Sequence, residues 1–392
     1  MKVVALISEF NPFHRGHTIC LDAIREAFGD DTCIVALMSG NYTQRGEVAI
    51  AEKFTRAKAA VEGGVDLVLE IPFPYTVSSA EFYATAGVRL ASAIGADALA
   101  FGSECGDIAT LSRMAAALSS ESFRRAFDEG VRSSPEKGHP QLTQELYGKL
   151  FSEEDAACLS APNNVLGIEY LRANNALEHP LTVFTAKRHG SYHDKSLASG
   201  VSGSAVRAAL ERGDPAAYGA MPESAAAPIA EACRLGHAPA SLSRMGPLLL
   251  SYFRTTVPAA GDALGHRFHR AACLADTFET LQSLVSTKRY SHAHLLRAMW
   301  HRFFGITSAD LRTPPAYSQI LGIGQRGRTL LRALSGRTSL SLLTKPADAR
   351  QLEGEAGRQA ALSQRADLLY PLAMPKPTVG NASVLASPYC KE

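Results

Sequence analysis

The chain has 392 residues, 46% of them hydrophobic and 20% charged, with a formal net charge of +2. That length exceeds the usual reach of one hydrophobic core and predicts two domains, and the composition excludes a disordered chain. So neutral a balance also excludes nucleic-acid binding by overall charge, leaving local clusters to supply it. The seven cysteines are scattered with no C-x-x-C pair, so neither a disulfide framework nor a zinc site is expected. The apolar run behind Met1 and Lys2 is too short for a signal peptide or a membrane span, which predicts a cytoplasmic protein.

Short apolar runs at residues 3–7, 33–38, 66–71 and 98–101 lack strict alternation, as fully buried parallel strands do. Between them, residues 18–28, 52–63 and 79–94 carry apolar side chains at three- and four-residue spacing and predict crossover helices. Gly29, Gly63, Gly64 and Gly95 fall at or just past their ends, where a left-handed cap is wanted. A helix over 164–177, a fifth strand over 181–185 and a helix over 204–212 follow. After Gly213-Asp214-Pro215, Ala- and Leu-rich segments replace strand-like runs, and from Pro371 the chain reads as an irregular tail. The expected architecture is α/β: a Rossmann-like parallel sheet over residues 1–214, then a mainly helical, basic domain over residues 215–392.

The first strand runs directly into Ile7-Ser8-Glu9-Phe10-Asn11-Pro12-Phe13-His14-Arg15-Gly16-His17-Thr18-Ile19-Cys20, which opens a helix. In a parallel sheet, ligands bind beyond the carboxyl ends of the strands, and a helix N-terminus offers free N–H groups and a positive dipole to a phosphate. Three-residue spacing, with Gly16 allowing close backbone approach, can set His14 and His17 against one triphosphate, where two donors would stabilise charge building on the α-phosphate. Surface loop histidines, or half of a metal site, are the other readings of the pair. The whole string resembles the H-x-G-H signature of the nucleotidyltransferase superfamily that adenylates small molecules.

Further strings lie at the same sheet edge: residues 38–46, from Met38 to Gly46, after the second strand, and Phe101-Gly102-Ser103-Glu104 after the fourth. Ala161-Pro162-Asn163-Asn164-Val165-Leu166-Gly167, Lys187-Arg188-His189-Gly190-Ser191-Tyr192-His193-Asp194 and Val201-Ser202-Gly203-Ser204-Ala205-Val206-Arg207 follow in order, then Ser286-Thr287-Lys288-Arg289-Tyr290. This ordered set is similar to the bacterial tRNA(Met) cytidine acetate ligase family. The resemblance implies that ATP and acetate give acetyl-adenylate and pyrophosphate, and that the acetyl group passes to N4 of the wobble cytidine of elongator tRNA(Met). It implies that residues 7–20 hold ATP together with Gly102, Asn163 and Arg188, that His14 and His17 are catalytic, and that Lys187 helps on phosphate. Magnesium is expected because ATP normally carries it. Gly203 departs from the superfamily's second motif, which has adjacent hydroxyl residues there, and leaves one hydroxyl contact to phosphate in doubt.

Other polar residues have two readings. Asn41, Gln44 and Arg45 either shape a turn or bind ligand, and so polar a loop at this edge favours ligand. Asp66 and Glu70 read as strand-end residues, and Tyr192, His193 and Asp194 as a catalytic relay or a capped turn. His292, His294 and His301 do not share one helix face, so core or RNA-facing positions are expected for them. Between residues 265 and 345, Arg267, Arg270, Lys288, Arg289, Arg297, Arg302, Arg312, Arg326, Arg328, Arg332, Arg337 and Lys345 face only Asp276, Glu279 and Asp310. The reading as solvated helix faces competes with an RNA-holding surface, for which Lys288, Arg289, Arg326 and Arg328 are the candidates by charge and resemblance. A small-molecule adenylyltransferase and a non-catalytic RNA-binding protein are the alternative functions; the basic stretch speaks against the first and the intact histidine motif against the second.

Overall fold

The computed structural model describes residues 1–188, 202–287, 289–380 and 385–392. Five strands, β1 (Val3–Ser8), β2 (Cys33–Ser39), β3 (Leu67–Ile71), β4 (Ala98–Ser103) and β5 (Thr182–Lys187), pair in parallel in the order β5-β4-β1-β2-β3. The first four are the apolar runs read from the sequence, buried on both faces by crossover helices. The order reverses direction at β1, which lies between β4 and β2. Such a switch point parts the loops leaving two neighbouring strands and opens a crevice at their carboxyl ends. Here those loops are the histidine string after β1 and the segment after β4.

One face of the sheet, through Ala5, Val35 and Leu99, packs on helices Ala80–Ala93, Ile108–Ser119 and Pro162–Asn175. The other, through Val4, Leu6 and Ala36, packs on helices Arg15–Phe28, Lys53–Glu62, Gly203–Glu211 and Glu223–Leu235. A third apolar cluster, with Trp300, Phe304, Phe253 and Tyr370, belongs to the helical half and reaches back to Tyr42 and Phe73. Among the described residues no helix is long and apolar enough to cross a membrane.

The sheet does not stop at residue 214. A strand that the sequence did not reveal, β6 (Tyr317–Ile323), pairs antiparallel with β3, and β7 (Ser341–Leu343) and β8 (Tyr389–Cys390) pair with β6. β6 is buried throughout although it contains Ser318 and Gln319. Both polar side chains are satisfied: Ser318 Oγ donates to the Glu70 carbonyl at 2.7 Å and Gln319 Nε2 to the Leu343 carbonyl at 2.9 Å. A cut at residue 214 would strip β6 from β3 and leave an open sheet edge. The segment read as an irregular tail likewise ends in β8, pinned by Tyr389 and Lys391 on Glu62.

Candidate active site

Phe10, the third residue after β1's last buried position, adopts φ +40, a left-handed conformation that bulky residues avoid. It turns the chain so that His14 becomes the N-cap of helix Arg15–Phe28. Two histidines make the cap reciprocally. His14 Nδ1 accepts the Gly16 N–H at 3.1 Å and His17 Nδ1 accepts the His14 N–H at 3.1 Å. Because each Nδ1 is occupied as an acceptor, the neutral rings carry their protons on Nε2. The rings lie with centroids 3.9 Å apart, backed by Phe10 and Phe13.

Burial, then the charges of Arg188 and Arg207, push His14 down to about 3. Burial, then His14 and Arg188, hold His17 well below the ordinary imidazole range. Both rings are therefore neutral at physiological pH, and the cap presents two N–H donors rather than two cations. His14 Nε2 faces a second helix start. A Cβ built on Gly203 would stand 3.7 Å from it, 3.5 Å from the Asn11 carbonyl and 3.3 Å from Arg207 Nη1. Gly203 opens helix Gly203–Glu211, whose N-cap Ser202 accepts the Ala205 N–H, with Ser204 Oγ at 3.0 Å from Ser202 Oγ. Arg207 Nη1 donates to the Asn11 carbonyl at 2.7 Å, tying the second motif to the first. Two helix N-termini, two neutral imidazoles and two guanidinium groups thus converge, an arrangement suited to a polyanion. Thr18 Oγ1, at the end of the first turn of helix Arg15–Phe28, is buried and has no hydrogen-bond partner among the described residues.

The other residues expected here are distributed around that cradle. Arg188 follows β5, held by its N–H on the Ser103 carbonyl at 2.9 Å, and its stem lies against Gly102, where a Cβ would come within 3.1 Å of Cγ. Asn163 Nδ2 donates to Glu104 Oε1 at 2.7 Å, while Glu104 Oε2 accepts the Asn164 N–H at 2.8 Å. Glu104 thus caps helix Pro162–Asn175, a role its sequence position did not announce. Lys187 is exposed, with its stem against Gly106, and the charge acting on the histidines is that of the neighbouring Arg188. Ile7 packs in the core against Gly87, Arg15 turns outward to the Gly219 carbonyl, and Ile19 is exposed. Cys20 is half-buried, and burial pushes its thiol up to about 11. His189, Tyr192, His193 and Asp194 lie outside the described residues.

Beneath the cradle is a residue that the sequence reading passed over. Arg56 is fully buried and donates to the carbonyls of Ala51 at 2.8 Å, Glu9 at 2.6 Å, Ser39 at 3.0 Å and Gly40. It fastens the loop after β1 to the loop after β2. Asn11 Oδ1 adds a bond from the Ile50 N–H at 2.7 Å, and Glu9 Oε1 accepts the Gln44 N–H at 2.8 Å. The polar loop after β2 is spent largely on such work. Asn41 bridges Asp367 and the Lys53 N–H, and Gln44 Nε2 donates to the Ser78 carbonyl. Glu70, next to the last residue of β3, shares the buried Lys53 ammonium, at 2.8 Å, with Asp367, at 2.6 Å. Burial pushes Glu70 up to about 7, as expected where one cation serves two buried carboxyl groups.

Among the described residues no three acids, histidines or cysteines come together to hold a metal ion. The RNA-binding candidates are not gathered in one place. Arg326 reaches Asp66 and the Asp30 carbonyl, and Arg328 the Lys391 carbonyl, at the amino ends of the strands, about a strand length or ~20 Å from the histidines. Arg289 is exposed beside Gly138, and Lys288 lies outside the described residues. Much of the basic stretch is consumed internally: Arg302 pairs with Asp262 and Arg267 caps the Val285 carbonyl.

A family model of the HIGH Nucleotidyl Transferase type matches residues 1–383. The tRNA(Met) cytidine acetate ligase of Acetivibrio thermocellus is 31% identical over 372 residues, covering 89% of each chain. That of Caldicellulosiruptor saccharolyticus is 34% identical over 352 residues, covering 85% of each. Among solved structures, Thermotoga maritima TmcAL bound with alpha-thio ATP is similar with a TM-score of 0.90 and 25% identity over 100% of both chains.

Proposed function

The chain belongs to the HIGH nucleotidyltransferases and, within them, to the tRNA(Met) cytidine acetate ligase family, and from that premise we propose that it acetylates the wobble cytidine of elongator tRNA(Met) at the expense of ATP. An acetate oxygen attacks the α-phosphorus of ATP, the bond to pyrophosphate breaks, and acetyl-adenylate forms. N4 of the cytidine then attacks the acetyl carbon, AMP leaves, and N4 gives up a proton.

The observation that carries this reading is the reciprocal histidine cap. Two neutral imidazoles whose Nδ1 atoms are committed to backbone N–H groups must direct Nε2–H outward, so the donors are oriented before ATP arrives. In this reading His14 and His17 stabilise the charge that grows on the α-phosphate, while Arg188, Arg207 and the N-terminus of helix Gly203–Glu211 hold the departing pyrophosphate. Ser202 and Ser204 flank Gly203 closely enough to offer a hydroxyl in spite of the glycine between them. Lys187 is left with an accessory part on phosphate or RNA. A magnesium ion carried on the nucleotide's phosphates would offset their charge during the attack.

The test is ATP–pyrophosphate exchange in the presence of acetate and other short carboxylic acids, followed by acetyl transfer to elongator tRNA(Met). Exchange stimulated by acetate, with transfer to that tRNA alone, is the expected outcome. Exchange stimulated by a nucleotide-like acceptor instead would identify a small-molecule adenylyltransferase, and the absence of exchange under all conditions a non-catalytic binding protein.

A further inference from the structure

The start of helix His292–Phe304 carries a group of flat side chains that the adenylation chemistry does not use. The rings of Tyr290 and His294 lie with centroids 4.8 Å apart and planes 8° from parallel. The guanidinium carbon of Arg289 lies 5.5 Å from the centroid of Tyr290. Local sequence builds this arrangement. Ser291 is the N-cap and accepts the His294 N–H at 3.2 Å, and Thr287 Oγ1 accepts the Tyr290 N–H at 3.1 Å. Tyr290 precedes the N-cap and His294 is the third residue of the helix, so the entering chain folds the tyrosine ring back over the helix's first turn. Tyr290 is anchored against the helical half's apolar cluster, whereas His294 and Arg289 are exposed.

The groups that act on His294 are basic. Arg297 is one turn further along, and His139, His301 and Arg302 are near enough to act on His294. Glu47, the acid on the adjoining loop, is engaged by His292 at 3.4 Å. Partial burial against Tyr290, then Arg297, lower the His294 imidazole from its ordinary value, which favours the neutral ring. The stack also lies toward the reaction loop. Arg297 Nη1 donates to the Gln44 carbonyl at 3.2 Å, and the Gln44 N–H meets Glu9 Oε1 in the histidine string. Arg326 and Arg328 instead reach Asp66, the Asp30 carbonyl and the Lys391 carbonyl.

A surface that only neutralised phosphates would need mobile exposed cations. Rings already stacked in parallel, with His294 exposed at the end of the stack, suit the π-face of an unstacked base, the form in which single-stranded RNA loops are read. We propose that Arg289, Tyr290 and His294 form a stacking platform for a base of the substrate RNA loop neighbouring the base that is acylated. This rests on the RNA-acylating function proposed above.

The test combines protein and RNA changes. Tyr290→Leu keeps apolar bulk over the core and removes the π-face, Tyr290→Phe keeps both, and His294→Ala removes the exposed ring. Tyr290→Leu and His294→Ala should each raise the Kd for tRNA about fivefold to a hundredfold. Tyr290→Phe should bind as the wild type does, and acetate-dependent exchange should stay within about twofold for all three. Binding is then repeated with synthetic anticodon stem-loops abasic at one loop position at a time. At one position the loss of the base and Tyr290→Leu should be non-additive, which a merely structural role for Tyr290 would not produce. Unchanged tRNA affinity, additivity at every position, or equal loss of exchange and binding would overturn the platform. Wild-type RNA binding without acetate-dependent exchange would overturn the activity instead, leaving the abasic series to decide the platform independently.

Discussion

Arg56→Met should unfasten the loops of the candidate site and be among the most costly single substitutions in the chain. The guanidinium is 0% exposed and donates to four backbone carbonyls, those of Ala51, Glu9, Ser39 and Gly40. Hydrogen bonds from a charged donor contribute about 1.5–3 kcal/mol each. Four do not simply add, because they share one group and because removing a buried cation also removes its desolvation cost. Burial lowers the Arg56 pKa from its ordinary value, a sign that this cost is present. A net loss on the order of 4–5 kcal/mol remains, the scale of breaking a buried network at one partner. Against a total stability of roughly 5–15 kcal/mol, that leaves a protein measurable only in the cold. The Glu9 carbonyl lies one residue before Phe10 at φ +40, and such a conformation costs about 1–3 kcal/mol unless its surroundings hold it. Without Arg56 the loop should relax and the histidine pair drift; a displacement of about 1 Å costs on the order of a hundredfold in rate. Urea titrations of wild type, Arg56→Met and Arg56→Lys, with exchange measured at 10 °C on folded protein, test both parts. Lysine should recover a minority of the stability, since one ammonium cannot span all four carbonyls. Stability within about 1 kcal/mol of the wild type, together with normal exchange, would refute the reasoning.

His14→Ala or His17→Ala should lower acetate-dependent exchange by roughly a hundredfold or more, with a smaller effect on ATP affinity, read as kcat against KM. Stability should fall in acid. His14 has a folded pKa of about 3 against 6.5 unfolded, so below 6.5 the unfolded chain takes up a proton that the folded one refuses. Its contribution is full above pH 6.5 and is lost as pH falls toward 3, at up to about 1.4 kcal/mol per pH unit; urea midpoints from pH 7.5 to 4 should show a shallower decline for His14→Gln. Gly203→Leu should raise the KM for ATP severalfold or more, because any side chain starts 3.3 Å from Arg207 Nη1 and 3.7 Å from His14 Nε2; a normal KM would remove this helix start from the nucleotide site. Arg289→Glu should flatten the salt dependence of tRNA binding by about one unit of slope, whereas Arg326→Glu should leave it unchanged and instead weaken the fold through Asp66.

The parallel sheet and the place of the histidine string at its carboxyl edge were legible because both are local patterns. Buried parallel strands must be continuous apolar runs, and an H-x-G-H string between a strand and a helix declares its own place at the carboxyl edge. The second motif was legible as a string, but Arg207 emerged as a partner of Asn11 only in three dimensions. β6 was not legible: Ser318 and Gln319 interrupt its apolar pattern, and what satisfies them is Glu70 and the chain around Leu343, far away in sequence. Arg56 looked like any helical arginine, since nothing in its neighbours reveals four carbonyls arriving from the segments that follow two different strands. The same blindness affected charge. Sequence counted the cations between residues 265 and 345 correctly, but not that Arg267, Arg302, Arg326 and Arg328 already hold protein groups. Sequence by itself determined the chemistry on offer, namely a strand, two imidazoles and a helix N-terminus. Only the tertiary structure decided which charges stay free, because a guanidinium's availability depends on the carbonyls and carboxylates that folding brings within about 3 Å of it, and most of those are non-local.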